Sequence, residues 1–99
     1  MEKDKTIVRF LDRIKNLIDQ HNIEIKDYWE TDLCAIGIKK GEKLIYISTY
    51  NYVEAKIVKY DFDLELIDDS GSTKVDVLKE GRSVTEDDLI QEIKSFFEI

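Results

Sequence analysis

The stretch Val58-Lys59-Tyr60-Asp61-Phe62-Asp63-Leu64-Glu65-Leu66 alternates apolar and charged side chains without interruption. Successive side chains of an extended chain point to opposite faces, so this segment reads as a strand with one face buried and the other carrying carboxylates. Asp61, Asp63 and Glu65 then share a face, roughly 7 Å apart. Val53, Ala55 and Ile57 alternate in the opposite phase. A strand over residues 53–67, or two joined strands, must therefore contain a bulge or bend near Ile57-Val58. Asp68-Asp69-Ser70-Gly71-Ser72 has turn composition, and Lys74 to Leu78 reads as a last strand.

Upstream, Leu33-Cys34-Ala35-Ile36-Gly37-Ile38 and Lys43 to Tyr50 flank the break Lys39-Lys40-Gly41-Glu42, the pattern of a hairpin. An amphipathic helix from about Asp4 to Gln20 precedes it, with Ile7, Phe10, Leu11, Ile14, Leu17 and Ile18 on one stripe. His21-Asn22 suits its end, because Asn tolerates a left-handed conformation. After the strands, Thr85 and Asp88 form a capping-box pair, and Val84 and Leu89 stand at the positions of a hydrophobic staple. Glu86, Asp87 and Asp88 favour the positive end of the helix dipole, and Leu89, Ile90, Ile93, Phe96 and Phe97 make the apolar stripe. The expected fold is a single α+β domain over residues 1–99. It consists of an N-terminal helix, an antiparallel meander of four to five strands and a C-terminal helix, with both helices on one face.

The 99 residues, 42% hydrophobic and 37% charged with no Pro, suit one folded domain rather than a disordered chain or a string of modules. The charged start Met1-Glu2-Lys3-Asp4-Lys5 lacks a secretory core, no apolar run is long enough for a membrane, and Cys34 has no partner for a disulfide. A cytoplasmic protein, monomeric or weakly dimeric, is expected. The net charge of −7 is uneven: residues 1–60 hold 10 acids and 11 Lys and Arg, whereas residues 61–99 hold 12 acids and 4. The second part, at −8, repels phosphate and attracts a basic protein surface, which excludes nucleic acid and membrane as direct partners.

Signatures of catalysis are missing: there is no phosphate loop, no Cys pair, no His pair and no nucleophile elbow. His21 is expected to serve a helix end and Cys34 to be a small core residue, so no enzyme and no cofactor is expected. The Asp61-x-Asp63-x-Glu65 spacing has Leu66 where a calcium loop needs Gly, and no metal is expected there. Three like charges in a row cost stability, and their clustering marks Asp61, Asp63, Glu65, Asp68 and Asp69 as candidate contacts for a basic partner. Tyr46, Tyr50, Tyr52, Tyr60 and Tyr28-Trp29 concentrate between residues 28 and 60. Of these, Tyr46 and Tyr60 are expected as anchors beside the acids, able to meet Arg and Lys by cation–π contact.

In size, in its Ile/Lys/Asp/Glu-rich make-up, in the acidic stretch Asp61 to Asp69 and in the Glu86-Asp87-Asp88 cap, the chain resembles the small immunity proteins of bacterial toxin–immunity systems of the contact-dependent growth inhibition type. The resemblance implies an inhibitor that binds a basic toxin domain, often a nuclease, and covers its active site. It assigns no role to any single residue. A phage-type inhibitor of a defence nuclease would use the same acidic surface. A homo-oligomeric structural or adaptor domain would instead use a sheet face or edge.

Overall fold

Two helical segments, α1 (Lys5–Arg13) and α2 (Lys15–Gln20), lead into strands β1 (Glu24–Lys26), β2 (Ala35–Lys40), β3 (Lys43–Ser48), β4 (Tyr60–Ile67) and β5 (Val75–Val84), followed by helix α3 (Glu86–Phe97). The structure is a computed structural model that describes residues 2–67 and 75–99. The strands lie in sequence order, each antiparallel to the next, as a five-stranded meander. The α+β class, the terminal helices and the antiparallel sheet agree with the expectation from sequence.

The register explains the two faces. Ile38, Ile45 and Leu64 stand side by side across β2, β3 and β4, as do Ile36, Ile47 and Phe62. All six are buried in one cluster with Ile7, Phe10, Ile14 and Ile18 of the N-terminal helices and with Leu89, Ile93 and Phe97 of α3. Both helical layers thus cover the same face, and apolar burial there supplies the main driving force for folding. Polar ties fix their angle: Arg13 pairs with Glu86 between α1 and α3, and Lys43 on β3 donates to the Phe96 carbonyl at 2.8 Å.

Local signals at the helix ends act as their chemistry requires. Asp4 caps α1 through the Thr6 N–H, and Thr85 caps α3 by accepting from the Asp88 N–H at 3.1 Å. His21 is the C-cap of α2, and Asn22 adopts a φ of 53° in the left-handed region. The expected single helix over residues 4–20 is divided at Ile14, whose φ of −101° and ψ of 12° open one turn. Ile18 still donates its N–H to the Ile14 carbonyl, so the apolar stripe continues across the break.

The strand expectations need three corrections. Residues 53–59 are not strand: Tyr50–Tyr52 form a 3-10 turn, and Ile57 is 73% exposed. The phase change is resolved by leaving the sheet altogether, with Ala55 and Ile57 exposed and Val53 only partly buried. The last strand is twice as long as expected and runs through Gly81 to Val84. It carries two register shifts opposite β4, and Ser83 takes a φ of 55°, so alternation along it is disrupted and invisible to a period-two reading. Finally, β1 is a short edge strand paired to β2, for which the sequence raises no expectation. The turn expected at residues 68–72 lies outside the described residues.

Gly81 faces Phe62 across β4 and β5, and a Cβ there would fall 2.0 Å from a carbon of the Phe62 ring. Gly81→Ala must therefore displace a core aromatic. A loss of about 1–3 kcal/mol is expected from urea unfolding, partly recovered in the double variant Gly81→Ala with Phe62→Leu.

Candidate protein-binding face

The other face of the sheet has no helix on it. Its rows follow from the register: Lys26, Gly37, Tyr46, Asp63 and Glu80 in one, and Glu24, Lys39, Leu44, Glu65 and Val77 in the next. Part of this face is sheltered by the connection between β1 and β2. Trp29 lies with its ring centroid 4.8 Å from that of Tyr46, and Tyr28 stands edge-on to Trp29 at 5.8 Å. Gly37 makes this possible. A Cβ on it would sit 3.0 Å from both the Trp29 ring and the Leu44 side chain, closer than a side-chain carbon normally comes.

What fixes Trp29 is a lysine from the chain's start. The Lys3 side chain has no exposed surface, and its ammonium lies 2.7 Å from the Asp27 carboxylate. It also donates to the Trp29 carbonyl at 3.0 Å and the Asp32 carbonyl at 2.9 Å. A buried ammonium is tolerated only when paired and hydrogen-bonded, and here one cation collects acceptors from three residues of one loop. The Asp4 N–H adds a bond to the Leu33 carbonyl at 2.8 Å. Nothing in the sequence marks Lys3, because two of its three partners are main-chain carbonyls that any residue type would supply.

Between this loop and strands β3, β4 and β5 is a groove of about 460 Å³. Tyr28, Trp29, Leu44, Tyr46, Ile67 and Val75 form its apolar and aromatic walls, and Asp63 and Glu65 supply the acids. Tyr46 stands where the alternation put it, away from the helices and beside Asp63. Glu65 is only 9% exposed, and no ion pair or side-chain hydrogen bond joins it to another described residue. Burial pushes its pKa above the ordinary carboxylate value, and the neighbouring Asp63 charge adds to the effect.

The remaining expected contacts are distributed differently. Asp63 is paired with Arg82 at 3.1 Å, and the same guanidinium approaches Glu80 at 3.6 Å. The Asp61 carboxylate is held internally: it accepts from the Tyr52 hydroxyl at 2.7 Å, the Ser83 N–H at 2.9 Å and the Asn51 amide at 3.4 Å. It thereby secures both the turn after β3 and the left-handed residue in β5. Asp68 and Asp69 lie outside the described residues. Tyr60 is a correction: it is 2% exposed and packs against Phe10 at 5.1 Å on the helix side, because it shares the phase of Phe62 and Leu64. It is a core residue, not an exposed anchor. Trp29, given only as a neighbour of Tyr28 in the sequence reading, takes the place beside Tyr46 instead.

A second cavity of about 600 Å³ lies between α1 and the start of α3, where Arg9, Arg13, Lys56 and Lys59 face Glu86 and Asp87. Its charges are mixed, and Arg13 is already spent on Glu86. Burial raises the Cys34 thiol pKa, which opposes formation of a nucleophilic thiolate. Among the described residues no group of three or more His, Cys, Asp or Glu side chains is placed to hold a metal ion. Likewise, none of the described helices is long and apolar enough to cross a membrane.

Two stability measurements follow from this geometry. Lys3→Met leaves Asp27 and two carbonyls without their donor, so a loss of about 1–3 kcal/mol is expected, with Trp29 emission shifted to the red as the loop lifts. Glu65→Gln has the opposite sign at neutral pH. Folding disfavours the ionised Glu65, so its cost is absent below the unfolded carboxyl pKa of about 4.3 and complete above the raised folded value. Urea midpoints are expected to be higher for Glu65→Gln than for the parent at neutral pH and to converge at acid pH.

Comparison of the chain with protein-family models, with curated proteins and with solved structures finds no match in any of the three.

Proposed function

We propose that this protein is a non-catalytic binding domain that inhibits a basic protein, in the manner of an immunity protein or antitoxin acting on a toxin nuclease. The observation that carries this reading is the helix-free sheet face, where an aromatic groove contains a buried carboxylate. Aromatic side chains at the centre of a patch are the usual anchors of protein interfaces. The charge of −8 over residues 61–99 adds long-range attraction for a cationic surface. A nuclease must offer cations to phosphate, so carboxylates presented on a firm sheet can occupy the same groove. A phage-type inhibitor of a defence nuclease would work through the same face and differ only in its partner.

Affinity capture from the native source at low and high ionic strength tests the reading. A basic protein is expected to be retained by the parent chain and released by salt. The variant Tyr46→Ala with Asp63→Ser is expected to bind it at least about tenfold more weakly. Stoichiometric addition of the parent chain is expected to abolish the partner's nuclease activity. A partner held equally by parent and variant would remove the sheet face from consideration.

One observation favours self-association as a second reading. The outer edge of β5 pairs with no other described strand, and Val75, Val77 and Leu78 along it are about half exposed. Under that reading a concentration-dependent dimer appears in size-exclusion chromatography and is abolished by Val77→Lys. A clean monomer at all concentrations excludes it.

A further inference from the structure

We propose that the groove beside Trp29 and Tyr46 is a seat for one arginine side chain of the protein partner, with the rings stacking on the guanidinium and the Glu65 carboxylate accepting its N–H groups. This rests on the reading of the sheet face as the binding surface and adds the residue that the surface selects.

Three features point to this occupant. The first is Glu65 itself, a carboxylate nine-tenths buried, lining the groove and joined to no described cation. A carboxylate with so little exposure keeps only part of its hydration, and a cation entering the groove gives it a partner that no described residue supplies. The second is the wall. Trp29 and Tyr46 bring two aromatic rings within 4.8 Å of each other beside this carboxylate, a surface that attracts cations through the ring faces. The third is what surrounds Glu65 on each strand. Asp63 on β4 and Glu80 on β5 share Arg82, whose guanidinium is already engaged with both. On β1, Glu24 pairs with Lys26 at 3.0 Å, and Lys39 on β2 is separated from Glu65 by Leu44 in the register.

Arginine fits this site better than lysine or a metal ion. Its guanidinium is planar, stacks on rings, bonds carboxylates in a fork and is less strongly hydrated than an ammonium, so it enters a half-dry groove more readily. The groove, about 460 Å³, has room for the aliphatic stem along Leu44 and Ile67. A divalent cation would need more ligands than Asp63 and Glu65, and the described residues supply no third.

Trp29 is the only tryptophan, so its indole N–H gives a single, assigned nuclear magnetic resonance signal beside the site. The full chain is titrated with N-acetyl-arginine methylamide, with the lysine counterpart, and with the citrulline counterpart, which keeps the shape but loses the charge. The arginine probe is expected to shift the indole signal saturably at roughly millimolar concentration, the lysine probe more weakly, and the citrulline probe not at all. Glu65→Gln is expected to weaken the arginine probe about tenfold while leaving the ligand-free indole signal in place. Binding by the parent is expected to fall as pH is lowered through the titration of Glu65. A citrulline or lysine probe that binds as well as arginine, or undiminished binding by Glu65→Gln, overturns the proposal. The broader reading fails separately. A captured basic partner that tolerates Glu65→Gln but not Tyr46→Ala with Asp63→Ser removes the arginine seat alone, whereas one that tolerates both removes the face as well.

Discussion

A five-stranded sheet has two faces, and the helices of this chain cover only one of them. The covered face is filled by Ile, Leu and Phe side chains from β2, β3 and β4 against α1, α2 and α3. The opposite face must then find another way to shelter its apolar surface. It does so with a loop instead of a helix: Trp29 settles on the bare backbone of Gly37 and against Tyr46, and the buried Lys3 ammonium ties the loop down from behind. A loop of this kind covers less than a helix does. The uncovered remainder is the groove, so the candidate site follows from the division of labour between the two faces.

Glu65 is the residue at which the proposed binding face departs from what stability alone would favour. A strand that packs its Tyr60, Phe62 and Leu64 into the core necessarily sends Asp61, Asp63 and Glu65 to the other side. Asp61 is satisfied by a hydroxyl, an amide and a main-chain N–H, and Asp63 by Arg82. Glu65 has the aromatic shelter without a described counter-charge, and its proton affinity rises accordingly. Three residues of identical phase and similar chemistry thus reach three different states. Neighbours from other strands and from the loop decide which one.

Much of the fold was legible because each signal was local and periodic. The stripe of α1 and α2, the Thr85 cap, the left-handed Asn22 and the alternation of β4 each depend on residues a few positions apart. The failures share a cause. Residues 53–57 alternate but pair with no strand and leave Ala55 and Ile57 exposed, while Gly81 to Val84 lack alternation yet pair along β4 through bulges. Tyr60 shows the same limit: its aromatic character suggested an anchor, but its phase in β4 placed it in the core. Where the two signals conflicted, phase was the better guide, since a residue in a strand cannot change faces without breaking register.

By itself the sequence determined the α+β class, the strand that carries the acids, the face on which they stand and the placement of Tyr46 opposite the helices. These are consequences of period and polarity, which neighbouring positions encode. The tertiary structure alone decided that Trp29 covers Tyr46, that Lys3 holds the loop, that Asp61 is consumed internally and that Glu65 is the buried acid of the groove. Each of these depends on residues many positions apart meeting through main-chain carbonyls, bare backbone or shape. No pattern along the chain records such meetings, so the acidic row was visible from the residues and the site within it was not.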